Sequence, residues 1–415
     1  MAEWKLKIRA FLTDNRTLFG VWFLVGLLAG LTKLNPVRHN NYDIFCGVFR
    51  HLIDGLNLYA AYPAEYHDIN HYGPVFSLII APFAMMPLWL GMTLWCVALA
   101  MFLYWAVRQP QFSRAQQIFI IWFCAHELLT ALFMQQFNVA IAAIIVFSYV
   151  LVEREQEPWA ALLIMIGTLV KIYGIVGLAF WLFSKHKGKF ILWLIIWAAV
   201  LFVAPMAISS PAYIVDQYQE WFYNILAKND ANLFSDMQNI SLLGFVRKTA
   251  YACTFGMTAL RSVINHVTLP IDSWCTRYSD LWIILPGMFL FAVPLLRLKQ
   301  WQNTYFRQAL LASVLMFVCL FSTGTESNGY IIALVGVVLW YTACPWKRNG
   351  WDIALLVFVF ILTSMSPSDL FPRYIRTEFV RPLALKALPV IIVWLQLIGE
   401  MILRDYSETT AIDNH

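Results

Sequence analysis

Asp43 stands at the head of DIFCGVFRHLIDGLNLY, and Arg50, His51, Asp54, Tyr59, His71 and Tyr72 follow it within thirty residues. Most of the surrounding chain is hydrophobic, so this concentration of acids, imidazoles and phenols is where proton chemistry would sit. A carboxylate held at a membrane surface can act as general base and take a proton from an acceptor hydroxyl. Asp is also a favoured helix N-cap, and read alone the residue fits either role.

Four further polar signals interrupt the apolar background. Lys171 lies inside LLIMIGTLVKIYGIVGLAFWLF. A lysine at membrane depth is costly, which marks it as a functional candidate unless it snorkels to the interface. Gln135, Gln136 and Asn138 form the polar part of MQQFN at a turn between two apolar runs, either a sugar-bonding cluster or a solvated loop. The stretch from Ser322 to Tyr330 supplies hydroxyls together with Glu326 and Asn328. Arg373, Arg376 and Arg381 cluster in LFPRYIRTEFVRP, where forked guanidinium donors suit phosphate or pyrophosphate, or else anionic lipid.

The elements that must position these residues follow from composition. The chain has 415 residues, 60% hydrophobic and 13% charged, where soluble domains carry about 25% charged residues. A polytopic helical membrane protein is implied, and its long apolar runs exclude a ten-residue-strand barrel. Spans are expected at about 18–34, 75–106, 117–134, 138–152, 158–171, 173–184, 190–208, 280–297, 309–322, 330–344, 351–366 and 383–403. The second is too long for one straight crossing, and Pro82 and Pro87 allow a break. The basic N-terminus followed by 18–34 reads as a retained first helix, since no small-residue cleavage site follows the run.

Arg108, Arg114, Arg154, Lys185, Lys187, Lys189, Arg297, Lys299, Arg307, Lys347 and Arg348 all fall on one side if the N-terminus is cytoplasmic. Both termini are then cytoplasmic, and 35–74, 209–279 and 366–382 are outer loops with amphipathic stretches. The whole chain, 1–415, reads as a single integral-membrane domain without an internal repeat. In the first loop, apolar residues at Ile44, Phe45, Val48, Phe49, Leu52 and Ile53 predict a helix opened by Asp43 and ended by Gly55. The seven cysteines show no metal-ligand spacing, although Cys253 and Cys275 are able to pair in an outer loop. A net charge of +5 does not suggest nucleic acid. No Walker A loop, dinucleotide-binding glycine fingerprint, HExxH or GxSxG occurs, so neither a nucleotide, a metal nor any other cofactor is expected.

Four motifs carry a resemblance. They are Asp43 with Gly55-x-x-x-Tyr59; Tyr72-Gly73-Pro74 with Ala81-Pro82 and Pro87; Gln135/Gln136-Phe137-Asn138 with Lys171; and Gln238-Asn239-Ile240-Ser241-Leu242-Leu243-Gly244. In this order, over about 18–345, the chain resembles the integral-membrane glycosyltransferases of the GT-C superfamily, specifically glycosyltransferase family 87. That family includes transferases dependent on polyprenyl-phosphate mannose or arabinose. Gly73 stands where the family has proline, Gln135 where it has glycine, and Gly174 where it has the proline after the lysine.

The resemblance implies an all-α GT-C-type fold of about twelve transmembrane helices and an outward-facing site in a cell envelope, most simply the bacterial inner membrane. A polyprenyl-phosphate sugar would donate a hexosyl (mannose-like) or pentosyl residue to a lipid or glycan acceptor, with inversion. Asp43 would be the base. Lys171, Arg373, Arg376 and Arg381 would hold the donor phosphate. Tyr59, His71, Tyr72, Gln136, Asn138, Glu326 and Asn328 would shape the sugar and acceptor site. The competing classes are a transporter or lipid-linked sugar flippase, and an assembly subunit with a degenerate site.

Overall fold

Each of the twelve apolar runs is helical in the structure, a computed structural model that describes residues 2–35, 39–264 and 279–407. Among the described residues there are helices and no strands. The chain forms two compact units, Met1–Ile225 and Leu226–His415.

In the first unit, α1 (Ala2–Thr13) and α2 (Asn15–Thr32) are separated by Asp14, whose carboxylate caps α2 by accepting from Arg16 and Thr17 amides. Helix α3 (Asn40–Asp54) leads to α4 (Phe76–Ala84) and α5 (Leu88–Val107). The expected long run 75–106 does break at its prolines: α4 stops at Ala84, and Pro87 precedes the first residue of α5. Then come α6 (Arg114–Phe123) and α7 (Ala125–Leu132), bent by 49° at Cys124, followed by α8 (Asn138–Glu153) and α9 (Glu157–Lys171). A 3-10 stretch over Tyr173–Phe183 precedes α10 (Lys187–Val203) and α11 (Pro211–Ala231). Gly26 and Gly30 seat α2 against α5, since a Cβ on Gly30 would lie 2.5 Å from Thr93 Cα. This is the small-residue close approach that helices use in lipid, where no hydrophobic force drives them together.

In the second unit, α12 (Leu242–Phe255) and α13 (Met257–Val263) lie within 209–279, the stretch expected as the middle outer loop. They precede α14 (Ser279–Ala292), α15 (Thr304–Leu320), α16 (Tyr330–Thr342), α17 (Gly350–Phe358) and a C-terminal helix over Leu388–Leu403. Helices α8 and α16 are buried almost throughout, each at the centre of its own unit, as expected of a helix apolar on every side. Cys253 is exposed and unpaired; its expected partner, Cys275, lies outside the described residues.

Among the described residues four helices are long and apolar enough to cross a bilayer: Asn15–Thr32, Leu88–Val107, Lys187–Ala207 and Leu385–Leu403. The bent pair α6–α7 makes a fifth, and six shorter apolar helices accompany them. Helix α10 identifies the solvent most directly, because only Phe190 of its residues is buried while Ile191, Leu192, Ile195, Val200 and Val203 face outward. Such a surface is stable against hydrocarbon and not against water. The protein is an integral, multi-pass membrane protein.

Candidate functional site

The segment over 39–74 folds back on itself. Helix α3 begins three residues before Asp43, so the carboxylate sits one turn inside the helix and His39, not Asp43, occupies the N-cap position. The N-cap role is thereby excluded. Asp43 Oδ2 instead lies 2.7 Å from His39 Nδ1, with the aspartate side chain 26% exposed. Burial pushes the Asp43 carboxyl above the usual carboxylate range, while the His39 ring and, less strongly, Arg50 draw it down. Gly55 ends the helix as expected, in the left-handed conformation at φ 67°, with its amide donating to the His51 and Leu52 carbonyls. Arg50 and His51 close onto Glu65 rather than onto Asp43.

The segment after α3 is fastened from several sides. Tyr59 Oη donates to the Tyr72 carbonyl at 3.0 Å, and Asn70 brackets Tyr72 through its amide and carbonyl. His71 Nδ1 lies 2.6 Å from Asn224 Oδ1 on α11, and Trp221 Nε1 of the same helix donates to the His71 carbonyl. Tyr72 is the hub. Its ring stacks on Phe45 of α3, with centroids 5.0 Å apart, and its hydroxyl accepts from the Phe137 amide at 3.1 Å. Lys171 Nζ is 5.4 Å from the same ring and donates to Asn138 Oδ1 at 2.6 Å, while Asn138 Nδ2 donates to Gln136 Oε1. Three segments far apart in sequence, around Tyr72, Gln136–Asn138 and Lys171, therefore meet at one place.

Two of the positions that depart from the family pattern, Gly73 and Gly174, have local steric reasons. Gly73 packs so closely on the end of α9 that a Cβ there would lie 1.9 Å from the Leu169 carbonyl oxygen, and its amide donates to Val170. Proline would bring a side chain and lose that donor. Gln135 adopts φ 51°, a conformation glycine takes freely, and its carbonyl accepts from Trp95 Nε1. A Cβ on Gly174 would meet Gly167 Cα at 2.5 Å. Between them Ile172, β-branched yet at φ 58°, breaks the chain immediately after Lys171. Left-handed backbone at such residues is costly and tends to gather at functional sites. Phe137 also lines an open apolar cavity of about 300 Å³, walled by Ile79, Phe83, Trp95, Phe102 and Ile166 among others.

The second unit holds a separate polar cluster. Ser241 caps α12 by accepting from Gly244, donates to Asn239 Oδ1, and stands after Asn239 at φ 52°. Lys248, fully buried, donates to the Ser235 carbonyl at 2.6 Å and to those of Gln238 and Asn239 at longer range. The Ile240 amide donates to Thr325, which joins this loop to the Ser322–Tyr330 stretch, where Asn328 donates to Glu326. Beside them a small pocket of about 80 Å³ is lined by Asp236, Ser327, Ser366, Arg376, Arg381 and Lys386 among others. Lys386 donates to Ser327 through both its carbonyl and its hydroxyl. Arg376 also donates to the Pro367 and Ser368 carbonyls, whereas Arg373 points outward and does not line the pocket.

His39, Lys248 and Lys386 are additions to the residues singled out from sequence. A histidine four residues before an acid on a helix was the available signal for the first. For the two lysines it was a cation within an apolar stretch.

A family model described as glycosyltransferase family 87 matches residues 70–323, more than half of the chain. The matched stretch includes His71, Tyr72, Gln136, Asn138 and Lys171 and begins after Asp43. Among solved structures, the crystal structure of ArnT from Cupriavidus metallidurans bound to undecaprenyl phosphate is a remote likeness, with a TM-score of 0.35 and 13% identity over 94% of this chain and 78% of that one. No curated protein sequence matches.

Proposed function

Because the chain belongs to glycosyltransferase family 87, we propose that it moves a hexosyl or pentosyl residue from a polyprenyl-phosphate sugar to a lipid or glycan acceptor at the outer face of a membrane. The observation that carries this reading is the meeting of Tyr72, Asn138 and Lys171 next to an apolar cavity. An isoprenoid chain suits the cavity, and its phosphate suits the lysine beside it. Asp43 takes the acceptor hydroxyl's proton as the acceptor oxygen attacks the anomeric carbon. The bond to the phosphate oxygen breaks on the opposite face, which inverts the configuration. Lys171 offsets the charge that develops on the leaving phosphate. Tyr59, His71, Tyr72 and Gln136 shape the sugar side of the site. In the second unit Arg376, Arg381 and Lys386, with Glu326 and Asn328 nearby in sequence to Ser327, form a further phosphate- and sugar-binding surface. Twelve crossings with both termini cytoplasmic, in a bacterial inner membrane, fit the distribution of lysine and arginine among the short loops.

The test is transfer by purified protein in lipid from a panel of radiolabelled polyprenyl-phosphate sugars. Labelled acceptor is expected from at least one donor, and Asp43→Asn should lower the rate by about 10²- to 10⁴-fold while the protein stays folded. Labelling from none of the donors would refute the reading, and net movement of donor across sealed vesicles without transfer would point to a flippase.

A further inference from the structure

His39 and Asp43 face each other across the first turn of α3, with Nδ1 and Oδ2 2.7 Å apart. The His39 side chain is 7% exposed. Its other ring nitrogen, Nε2, is buried and has no hydrogen-bond partner among the described residues. That asymmetry selects a protonation state. An imidazolium, or the tautomer with its proton on Nε2, would leave a buried N–H without an acceptor, the rarer kind of unsatisfied group, and the imidazolium would add a desolvated charge. A neutral ring protonated on Nδ1 avoids both. In that state His39 donates and Asp43 accepts.

We infer that His39 is the positioning residue for Asp43: its Nδ1–H holds Oδ2, presents Oδ1 to the acceptor hydroxyl and keeps the half-buried carboxylate ionised. The inference rests on the reading of Asp43 as general base. In the step itself the acceptor O–H proton passes to Oδ1 as the new C–O bond forms, and the electron pair of the broken C–O bond leaves with the phosphate. His39 keeps its Nδ1 proton throughout. Without the imidazole, burial would act on the carboxylate with less opposition, since burial is what raises the Asp43 carboxyl and the hydrogen bond from the neutral His39 ring is one of the contacts that lower it. Among the described residues, the other ionisable groups that interact with Asp43 lie on the same helix: Arg50, which helps His39, and Tyr42 and Cys46. Helix α4, packed along α3, contributes no titratable side chain.

The pH profile of transfer separates positioning from a merely structural role. In His39→Ala the acid limb should move up by about one to two pH units, the size of one hydrogen bond to a charged group. Transfer at the acid end then falls about ten- to a hundredfold, with a smaller loss on the alkaline plateau. His39→Asn, whose amide nitrogen can replace Nδ1 as donor, should bring the limb back to within about half a unit. A His39→Ala profile that superimposes on the wild type, or falls equally at every pH, would overturn the inference while Asp43→Asn still lowers transfer by about a hundredfold or more. Full transfer by Asp43→Asn would instead remove the base itself. A second measurement needs no activity: nitrogen NMR of ring-labelled histidine in the full-length protein, with the His39 signal assigned by its loss in His39→Ala. Nδ1 protonation is expected at neutral pH, with a shift in Asp43→Asn. An Nε2-protonated or doubly protonated ring would overturn the proposal.

Discussion

Gly73→Ala is the most direct perturbation of the contact on which the site is built. The new Cβ would stand 1.9 Å from the Leu169 carbonyl oxygen, where ordinary contact begins at 3.4 Å. Either the Tyr72–Pro74 segment or the last turn of α9 must therefore move by roughly 1.5 Å. The obstacle is backbone, so no side-chain rotation relieves it. Overpacking of this kind costs about 1–3 kcal/mol. For a unit of this size that lowers the thermal midpoint by roughly 2–12 °C. The geometric effect is more specific. The segment that moves carries either Tyr72 or Lys171, and a displacement of about 1 Å in a positioning group can cost about a hundredfold in rate. We therefore expect Gly73→Ala to remain extractable as a folded protein, with a lower melting midpoint and a transfer rate reduced far beyond its loss of folded fraction. Gly73→Pro should be worse, because the amide donated to Val170 is lost as well. The assays are thermal unfolding in detergent and initial rates corrected for folded protein. A Gly73→Ala variant with a wild-type midpoint and wild-type kinetics would refute the claim that this seat sets the position of Lys171.

Two further outcomes test the second unit. Lys386→Met should raise the KM for the lipid-linked donor by about tenfold or more, the size of a lost charge-assisted hydrogen bond, while Arg373→Ala, which removes an exposed side chain outside the pocket, should leave it unchanged. Equal effects from the two would show that general surface charge, not the pocket, is responsible. Burial draws the Lys248 ammonium down to about 7. In the unfolded chain the same group stays protonated up to its ordinary value near 10.5. The unfolded state thus binds more protons between those values, and stability should rise with pH across that window. In Lys248→Met the slope of unfolding free energy against pH over about 7–10 should flatten; an unchanged slope would place the titrating group elsewhere.

Much of the scaffold was legible because its signals are local. Ile44, Phe45, Val48 and Leu52 of the expected apolar face of α3 are buried, whereas Ile53, counted on the same face, is exposed, and Gly55 ended the helix for the reason that favours glycine in left-handed backbone. The break before α5 followed from Pro87. What was not legible depends on tertiary structure. Helix α3 starts at Asn40 rather than Asp43, so the expected boundary left His39 outside the element and its contact with the acid unseen. Lys386 reads as the edge of an apolar run until Ser327, distant in sequence, is brought to it. The left-handed backbone of Gln135 and Ile172 carries no compositional mark, because packing imposes it on residues that do not prefer it. Lys171, by contrast, was visible from its cost alone, a charge in an otherwise apolar run.

The 3-10 stretch next to α10 has a consequence for the surrounding lipid. Its eleven residues reach about 22 Å at about 2.0 Å each, whereas the 21-residue apolar helix beside it reaches about 31 Å at 1.5 Å each. Ile175 and Leu178 on the short element are exposed, as are the outward residues of α10. Boundary lipid that wets both must be compressed along one stretch of the perimeter and relaxed along the next, at a fraction of a kcal/mol per ångström of mismatch. Where both elements face lipid, their two lengths call for different local thickness. Acyl-chain length then becomes a variable of the reconstituted system in its own right, acting where the strained turn after Lys171 enters the short element.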